Sequence, residues 1–251
     1  MISDPQTLNA VLAGCKAGNS KSQEALYRSF YSLHVEIPNI YFPLRFSKGV
    51  FIMTITYTLD ENLYINITNK CPNACEFCIR THGSGVGDAD NLWLEREPTR
   101  EEIIDDLKKR DLSRYKEIVF CGYGEPTSRF DDLVYVLKQL RKMTSSDLRI
   151  NTNGLSDLIN GRNTAKELDG LVDTISVSLN ASTAEKYDLL CHSKFGLEAL
   201  PGILKFTSNA SLYVPKVYMT VVGNLPQKEL VACRRLCEEA GAQFKVREYI
   251  D

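Results

Sequence analysis

The chain has 251 residues, 43% hydrophobic and 25% charged, with a net charge of −2. This suits one large soluble domain, or a core with a small appendage, and gives no global attraction to nucleic acid or to an anionic membrane. No stretch reaches the ~18 apolar residues of a membrane span, and no basic segment followed by an apolar one marks a signal peptide, so a cytoplasmic, reducing compartment is expected.

Residues 7–31 read as helical, with Leu8, Val11 and Leu12 on one stripe and Ala25, Leu26, Phe30 and Tyr31 resuming it after a break at Gly18. Pro38 and Pro43 break residues 35–52. The pattern changes near Met53, which separates an N-terminal helical appendage, 1–52, from a core, 53–251. Residues 62–68 alternate as a strand on Leu63, Ile65 and Ile67. Pro98 opens a helix that runs to about residue 110, with Glu101 and Glu102 at its positive end. Residues 117–121 form a short buried strand, and 130–142 an amphipathic helix on Leu133, Val136, Leu137 and Leu140. A strand over 148–151 precedes a polar segment and a short helix at 164–169. Then come a strand at 174–179, a helix at 182–190 with Ser182 as its N-cap, and a helix at 197–209. A strand at 216–222, a helix at 226–240 and a strand at 244–250 close the chain.

About six strands alternating with helices predict an α/β fold with a parallel sheet, either open or curled into a partial barrel. In both, ligands gather beyond the C-terminal ends of the strands.

Three of the eight cysteines fall within eight residues, in Cys71-Pro-Asn-Ala-Cys75-Glu-Phe-Cys78, a C-x3-C-x2-C loop after the first of these strands. Clustered cysteines in a reducing compartment point to metal. Three thiolates on an iron–sulfur cubane leave one iron open to a small ligand. The alternative is a zinc site completed by His82, although zinc motifs more often pair C-x2-C units. The other cysteines, Cys15, Cys121, Cys191, Cys233 and Cys237, are scattered. Cys233 and Cys237 share a helix face and read as core residues, or with Cys191 as a second cluster site. His82, in a glycine-rich loop, is either exposed or in reach of substrate.

The cysteine loop, with aromatic Phe77 before its third cysteine, resembles the signature of the radical S-adenosylmethionine (SAM) superfamily. The segment Gly122-Tyr123-Gly124-Glu125-Pro126 is similar to the superfamily's Gly-Gly-Glu-Pro turn, one glycine being displaced by Tyr123. Glycine allows close approach of backbone to a ligand, and a carboxylate complements an ammonium. Asn151-Thr152-Asn153-Gly154 resembles the superfamily's Thr-Asn-Gly turn, and the strand through Ser176 and Ser178 ends at Asn180 in small polar groups. Ser178 and Asn180 are expected on one face of that strand.

This resemblance implies a partial (β/α)6 barrel, a [4Fe–4S] cluster on Cys71, Cys75 and Cys78, and SAM contacts from Phe77, Gly122, Gly124, Glu125, Asn151, Asn153, Ser178 and Asn180. It also implies reductive cleavage of SAM to a 5′-deoxyadenosyl radical that abstracts hydrogen from a substrate, fed by a donor such as flavodoxin or ferredoxin. With Asn66-Ile67-Thr68-Asn69, Asn91-Leu92-Trp93-Leu94 and Val246-Arg247-Glu248-Tyr249-Ile250, the core resembles the TatD-associated radical SAM family, which implies a TatD-type hydrolase as partner and no defined substrate. Residues 9–33 resemble the opening helices of an extracytoplasmic-function sigma factor without its DNA-binding parts. The reading from another class is a non-enzymatic iron–sulfur or zinc module that partners a hydrolase.

Overall fold

A computed structural model describes residues 53–81 and 85–247. The expected appendage, Cys15, His82 and residues 248–251 lie outside the described residues.

Seven strands form one sheet in the order of the sequence: β1 (Thr56–Leu59), β2 (Asn62–Ile65), β3 (Glu117–Phe120), β4 (Asp147–Thr152), β5 (Thr174–Ser178), β6 (Lys216–Val222) and β7 (Gln243–Arg247). β2 to β7 are parallel, which matches the six strands expected. β1 was not expected. It pairs antiparallel with β2 through a turn at Asp60, whose φ of 53° is left-handed, a conformation Asp tolerates. The alternation of Ile55, Tyr57 and Leu59 carries the signal for it.

One face of the sheet is apolar and covered by helices. Leu63, Ile65, Ile118, Phe120, Leu148, Ile150, Ile175, Val177, Met219 and Val221 are all buried there. Against them lie α1 (Arg100–Lys108), α2 (Phe130–Met143), α3 (Ser156–Asn160), α4 (Ala184–Cys191), α5 (Ala199–Ala210) and α6 (Gln227–Glu239). On α2, Leu133, Val136, Leu137 and Leu140 are wholly buried, each contributing about 1.5–3 kcal/mol relative to exposure. Cys233 and Cys237 are buried in the same core on α6.

The helix starts differ from expectation in two places. α1 begins at Arg100, so Pro98 lies before the helix and does not open it; Thr99 is the cap, its hydroxyl taking the Glu102 N–H and the Glu102 carboxylate taking the Thr99 N–H. Thr183, not Ser182, caps α4: its hydroxyl accepts from the Lys186 N–H at 3.3 Å, while the Ser182 N–H donates to Glu229. The polar segment after β4 contains α3, ended by Gly161 in the left-handed region.

The opposite face carries Tyr64, Glu117, Arg149, Ser176 and Tyr218. One cavity is lined by Asp60–Asn62 from the first hairpin and by Tyr218 and Lys245 from the last two strands. A flat sheet of seven strands would hold these residues far apart, so the sheet is curled into a partial barrel with this face concave. No helix of the described residues is long and apolar enough to cross a membrane.

Candidate functional site

The cysteine loop follows β2 and is fastened to the end of α4. Ala74 N–H donates to the Cys191 carbonyl at 2.9 Å, Glu76 N–H to Leu190 at 3.1 Å, and Lys194 N–H returns to Pro72 at 2.9 Å. These carbonyls lack partners within a helix's last turn, and here the loop supplies them. Cys78 opens a short turn with its carbonyl accepting from Thr81 N–H and Oγ1. Inside the loop, Arg80 is buried at 7% exposure and donates to the Asn73 carbonyl at 3.0 Å.

Burial pushes the Cys71 thiol up to about 12 and raises Cys78, Cys75 is raised first by its contact with the Cys191 thiol and then by burial, and the Arg80 guanidinium acts the other way at all three. A buried cation among three thiols is suited to sulfurs that become thiolates on binding metal. Among the described residues, no three His, Cys, Asp or Glu side chains converge closely enough to hold a single metal ion. Thiolates that each take a separate iron of a cubane stand further apart than the ligands of one tetrahedral zinc.

Beyond β3, the turn Gly122–Pro126 packs directly on the cysteine-loop strand. A Cβ at Gly122 would stand 2.1 Å from Asn66 Oδ1, and one at Gly124 would stand 2.2 Å from the Thr68 carbonyl. The close approach that requires glycine is therefore to the protein's own chain. The Glu125 carboxylate is buried at 3% exposure and accepts four hydrogen bonds: from Thr127 N–H and Oγ1, from Thr152 Oγ1, and from Asn153 N–H, at 2.7–3.0 Å. Burial raises its pKa and these four bonds pull it back. Glu125 thus joins the turns after β3 and β4.

Asn153 extends this chain of contacts, its Nδ2 pointing to Cys71 Sγ at 3.8 Å while its Oδ1 takes Leu155 N–H. Asn180 stands just past β5, buried at 3%, with Nδ2 on Cys191 Sγ at 3.8 Å. Its φ of 60° is left-handed, so the regular strand ends at Ser178, two residues before it. The side-chain oxygens Oδ1 of Asn151 and Asn180 are buried with no protein partner. Buried acceptors of this kind are uncommon and fit a ligand that brings donors, such as an ammonium or ribose hydroxyls. Phe77 is half-buried against the core, and Ser178 is half-buried at the end of β5.

Two asparagines explain other motifs. Asn69 pairs its amide with both backbone groups of Leu94, at 2.7 and 3.1 Å, and Asn66 Nδ2 donates to the Leu92 carbonyl at 2.7 Å. The Asn-Ile-Thr-Asn segment therefore holds the Asn-Leu-Trp-Leu segment in place. Arg129 donates to the carbonyls of Ile67 and Pro98 and pairs with Asp132, bracing the same region.

A sequence profile for the radical SAM superfamily matches residues 65–224. The chain belongs to the radical SAM superfamily. This is a superfamily of enzymes that use a [4Fe–4S] cluster and SAM. The chain is 32% identical, over 64% of its length and 43% of the relative's, to the tungsten-containing aldehyde ferredoxin oxidoreductase cofactor-modifying protein of Pyrococcus furiosus. It is 30% identical to "Probable GTP 3',8-cyclase" of Methanocaldococcus jannaschii, over 76% of this chain and 59% of that one. It spans about half the length of these curated relatives. Its fold is that of Streptococcus suis SuiB bound to S-adenosylmethionine, with a TM-score of 0.54 at 16% identity, covering 75% of this chain and 38% of that one.

In this radical SAM chain, the structure brings together the cysteine loop and the ends of β3, β4 and β5. Sequence reasoning missed Arg80, the backbone of Leu190 and Cys191, and Arg129. A lone arginine two residues past the third cysteine was the one visible signal for Arg80.

Proposed function

We propose that this chain uses a [4Fe–4S] cluster on Cys71, Cys75 and Cys78 and SAM held at the ends of β3, β4 and β5 to carry out hydrogen abstraction on a substrate. The observation that supports it most is the continuous contact from the cysteine loop through Glu125 and Asn153. Glu125 N–H donates to Lys70 at 2.7 Å, its carboxylate accepts from Asn153, and Asn153 reaches Cys71. The cysteines and the polar strand ends thus form one assembly.

The cluster and SAM, when bound, supply reductive cleavage to methionine and a 5′-deoxyadenosyl radical that takes a hydrogen atom from the substrate. The protein's own residues hold and orient. Arg80 offsets thiolate charge, Asn151 and Asn180 offer unused buried acceptors, and the Gly122–Pro126 turn, with Ser178, borders the SAM space. Phe77 packs the loop against the core. Residues 53–251 act as the catalytic core and 1–52 as a separable appendage. The motif set supports the TatD-associated group, a TatD-type hydrolase as partner, a flavodoxin or ferredoxin as electron donor, and a cytoplasmic setting.

Anaerobic reconstitution tests this reading. About four irons per chain and a charge-transfer absorption that changes on adding SAM are expected, with 5′-deoxyadenosine formed under a strong reductant. Stoichiometric zinc with no iron would overturn it.

A further inference from the structure

The concave face holds a second feature below the cofactor end. A cavity of about 420 Å³ lies at the N-terminal halves of the strands, with Glu117, Arg149, Ser176, Tyr218 and Lys245 on its walls. The register places these side chains on one face, since Arg149 is level with Val119 and Thr174, and Ser176 is level with Tyr218.

The charges are unevenly used. Arg149 pairs with Glu117 at 3.1 Å, which occupies the acid on that wall, yet its Nε is buried with no partner. Lys245 forms no ion pair among the described residues, and Lys216, also in the lining, pairs with Asp147 at 3.8 Å. The remaining acids of the lining, Asp60 and Glu61, sit on the exposed β1–β2 turn. Ser176 and Tyr218 add hydroxyl donors between the two cations. A cavity wall with a buried guanidinium donor left over, an unpaired ammonium and two hydroxyls is complementary to an oxyanion.

We propose that this cavity binds the carboxylate or phosphate end of a small-molecule substrate, with Arg149 and Lys245 as its cations. The identification of the ligand as substrate rests on the radical SAM reading; the anion site itself does not. The height fits. Arg149 and Asn153 are four residues apart along β4 and its extension, about 13 Å at strand rise, and Asn153 touches Cys71. A metabolite-sized molecule anchored at Arg149 and extended along the concave face is therefore long enough to reach the cofactor end.

The test is thermal-shift titration of the full chain, in low-salt buffer, with inorganic phosphate and separately with succinate. Low salt matters because exposed cations are screened. A saturable stabilisation by one of them is expected, and the one that binds tells phosphate from carboxylate. Lys245→Gln should weaken that binding about 10-fold, with Tyr218→Phe and Ser176→Ala weakening it less. Arg149→Gln disturbs an ion pair, so Lys245→Gln, on an exposed edge, carries the test if Arg149→Gln does not fold. No saturable binding of either anion, or equal binding by wild type and Lys245→Gln, overturns the proposal. Iron uptake and SAM binding are measured on the same samples. Anion binding without iron uptake would refute only the enzyme reading, and iron uptake without anion binding only the pocket.

Discussion

The backbone N–H of Glu125 donates to the carbonyl of Lys70 at 2.7 Å. One bond therefore links the turn after β3 to the residue that precedes the first cysteine. The same residue's carboxylate accepts from four donors, three on Oε1 and one on Oε2, so it is tied into the protein's own turns.

Glu125→Ala should consequently act on the fold as well as on SAM. It strands two threonine hydroxyls and two N–H groups in a buried site, at a cost of about 3 kcal/mol or more. Urea unfolding of the apoprotein measures this. Glu125→Gln should cost less, because its oxygen still accepts. A stability equal to wild type for the alanine variant would show that the carboxylate is not the tie described.

Cys71 in the loop and Cys191 at the end of α4 should behave in opposite ways. Cys71→Ala should lose most of its iron after reconstitution, because a cubane with two protein thiolates is poorly held. Cys191→Ala should keep its iron, since Cys191 grips the loop by its backbone carbonyl. Iron assay and absorption at equal protein concentration compare them. Iron loss in Cys191→Ala would bring back Cys191 as a ligand.

Alanine at the two glycines of the turn should rank by what the new methyl meets. At Gly124 it meets the Thr68 carbonyl, which cannot move without shifting the loop. At Gly122 it meets the Asn66 side chain, which can turn only by giving up its bond to Leu92. Both should destabilise by about 1–3 kcal/mol, Gly124→Ala more than Gly122→Ala. Thermal unfolding of the two variants gives the order directly.

A pH dependence is expected at the α4–α6 contact. Burial pushes the Glu229 carboxyl up, but Lys186 and the Ser182 N–H outweigh it and hold the pKa below the ordinary 4.5. A lowered carboxylate pKa adds stability above the unfolded value and loses it as pH falls through the folded one. The stability difference between wild type and Glu229→Gln should thus be full above about pH 5 and shrink below 4.5. A difference that stayed constant down to pH 3.5 would contradict this assignment.

Much of the scaffold could be read from periodicity. Leu63, Ile65, Ile118, Phe120, Ile175 and Val177 are buried as their alternation requires, and the helix on Leu133, Val136, Leu137 and Leu140 faces the sheet as expected. β1 escaped because it is four residues long and follows a change of pattern that drew attention to Met53. α3 escaped because its polar composition carries no stripe. Around the site, the cysteines and polar turns were visible as residue types at fixed spacings. Their ties were not, because backbone carbonyls such as those of Lys70 and Cys191 have no signature in a sequence. The left-handed backbone of Asn180, just beyond the end of β5, likewise has no signature in the strand's alternation.

The seven strands lie side by side in the order in which they are encoded. Each parallel strand therefore docks on the strand made just before it, separated by one helical crossover. No strand must wait for a distant segment to complete its pairing, so long-range loop closure adds little delay to assembly. A ribosome-bound chain can lengthen its sheet from β1 towards β7 as it emerges, each new edge becoming the template for the next. The cysteine loop is the exception to this vectorial growth. It follows β2, but the carbonyls of Leu190 and Cys191 that steady it arrive only with α4, some 115 residues later. Its final shape must therefore be set after most of the sheet exists, which leaves the three thiols in a loosely held segment through the early part of synthesis.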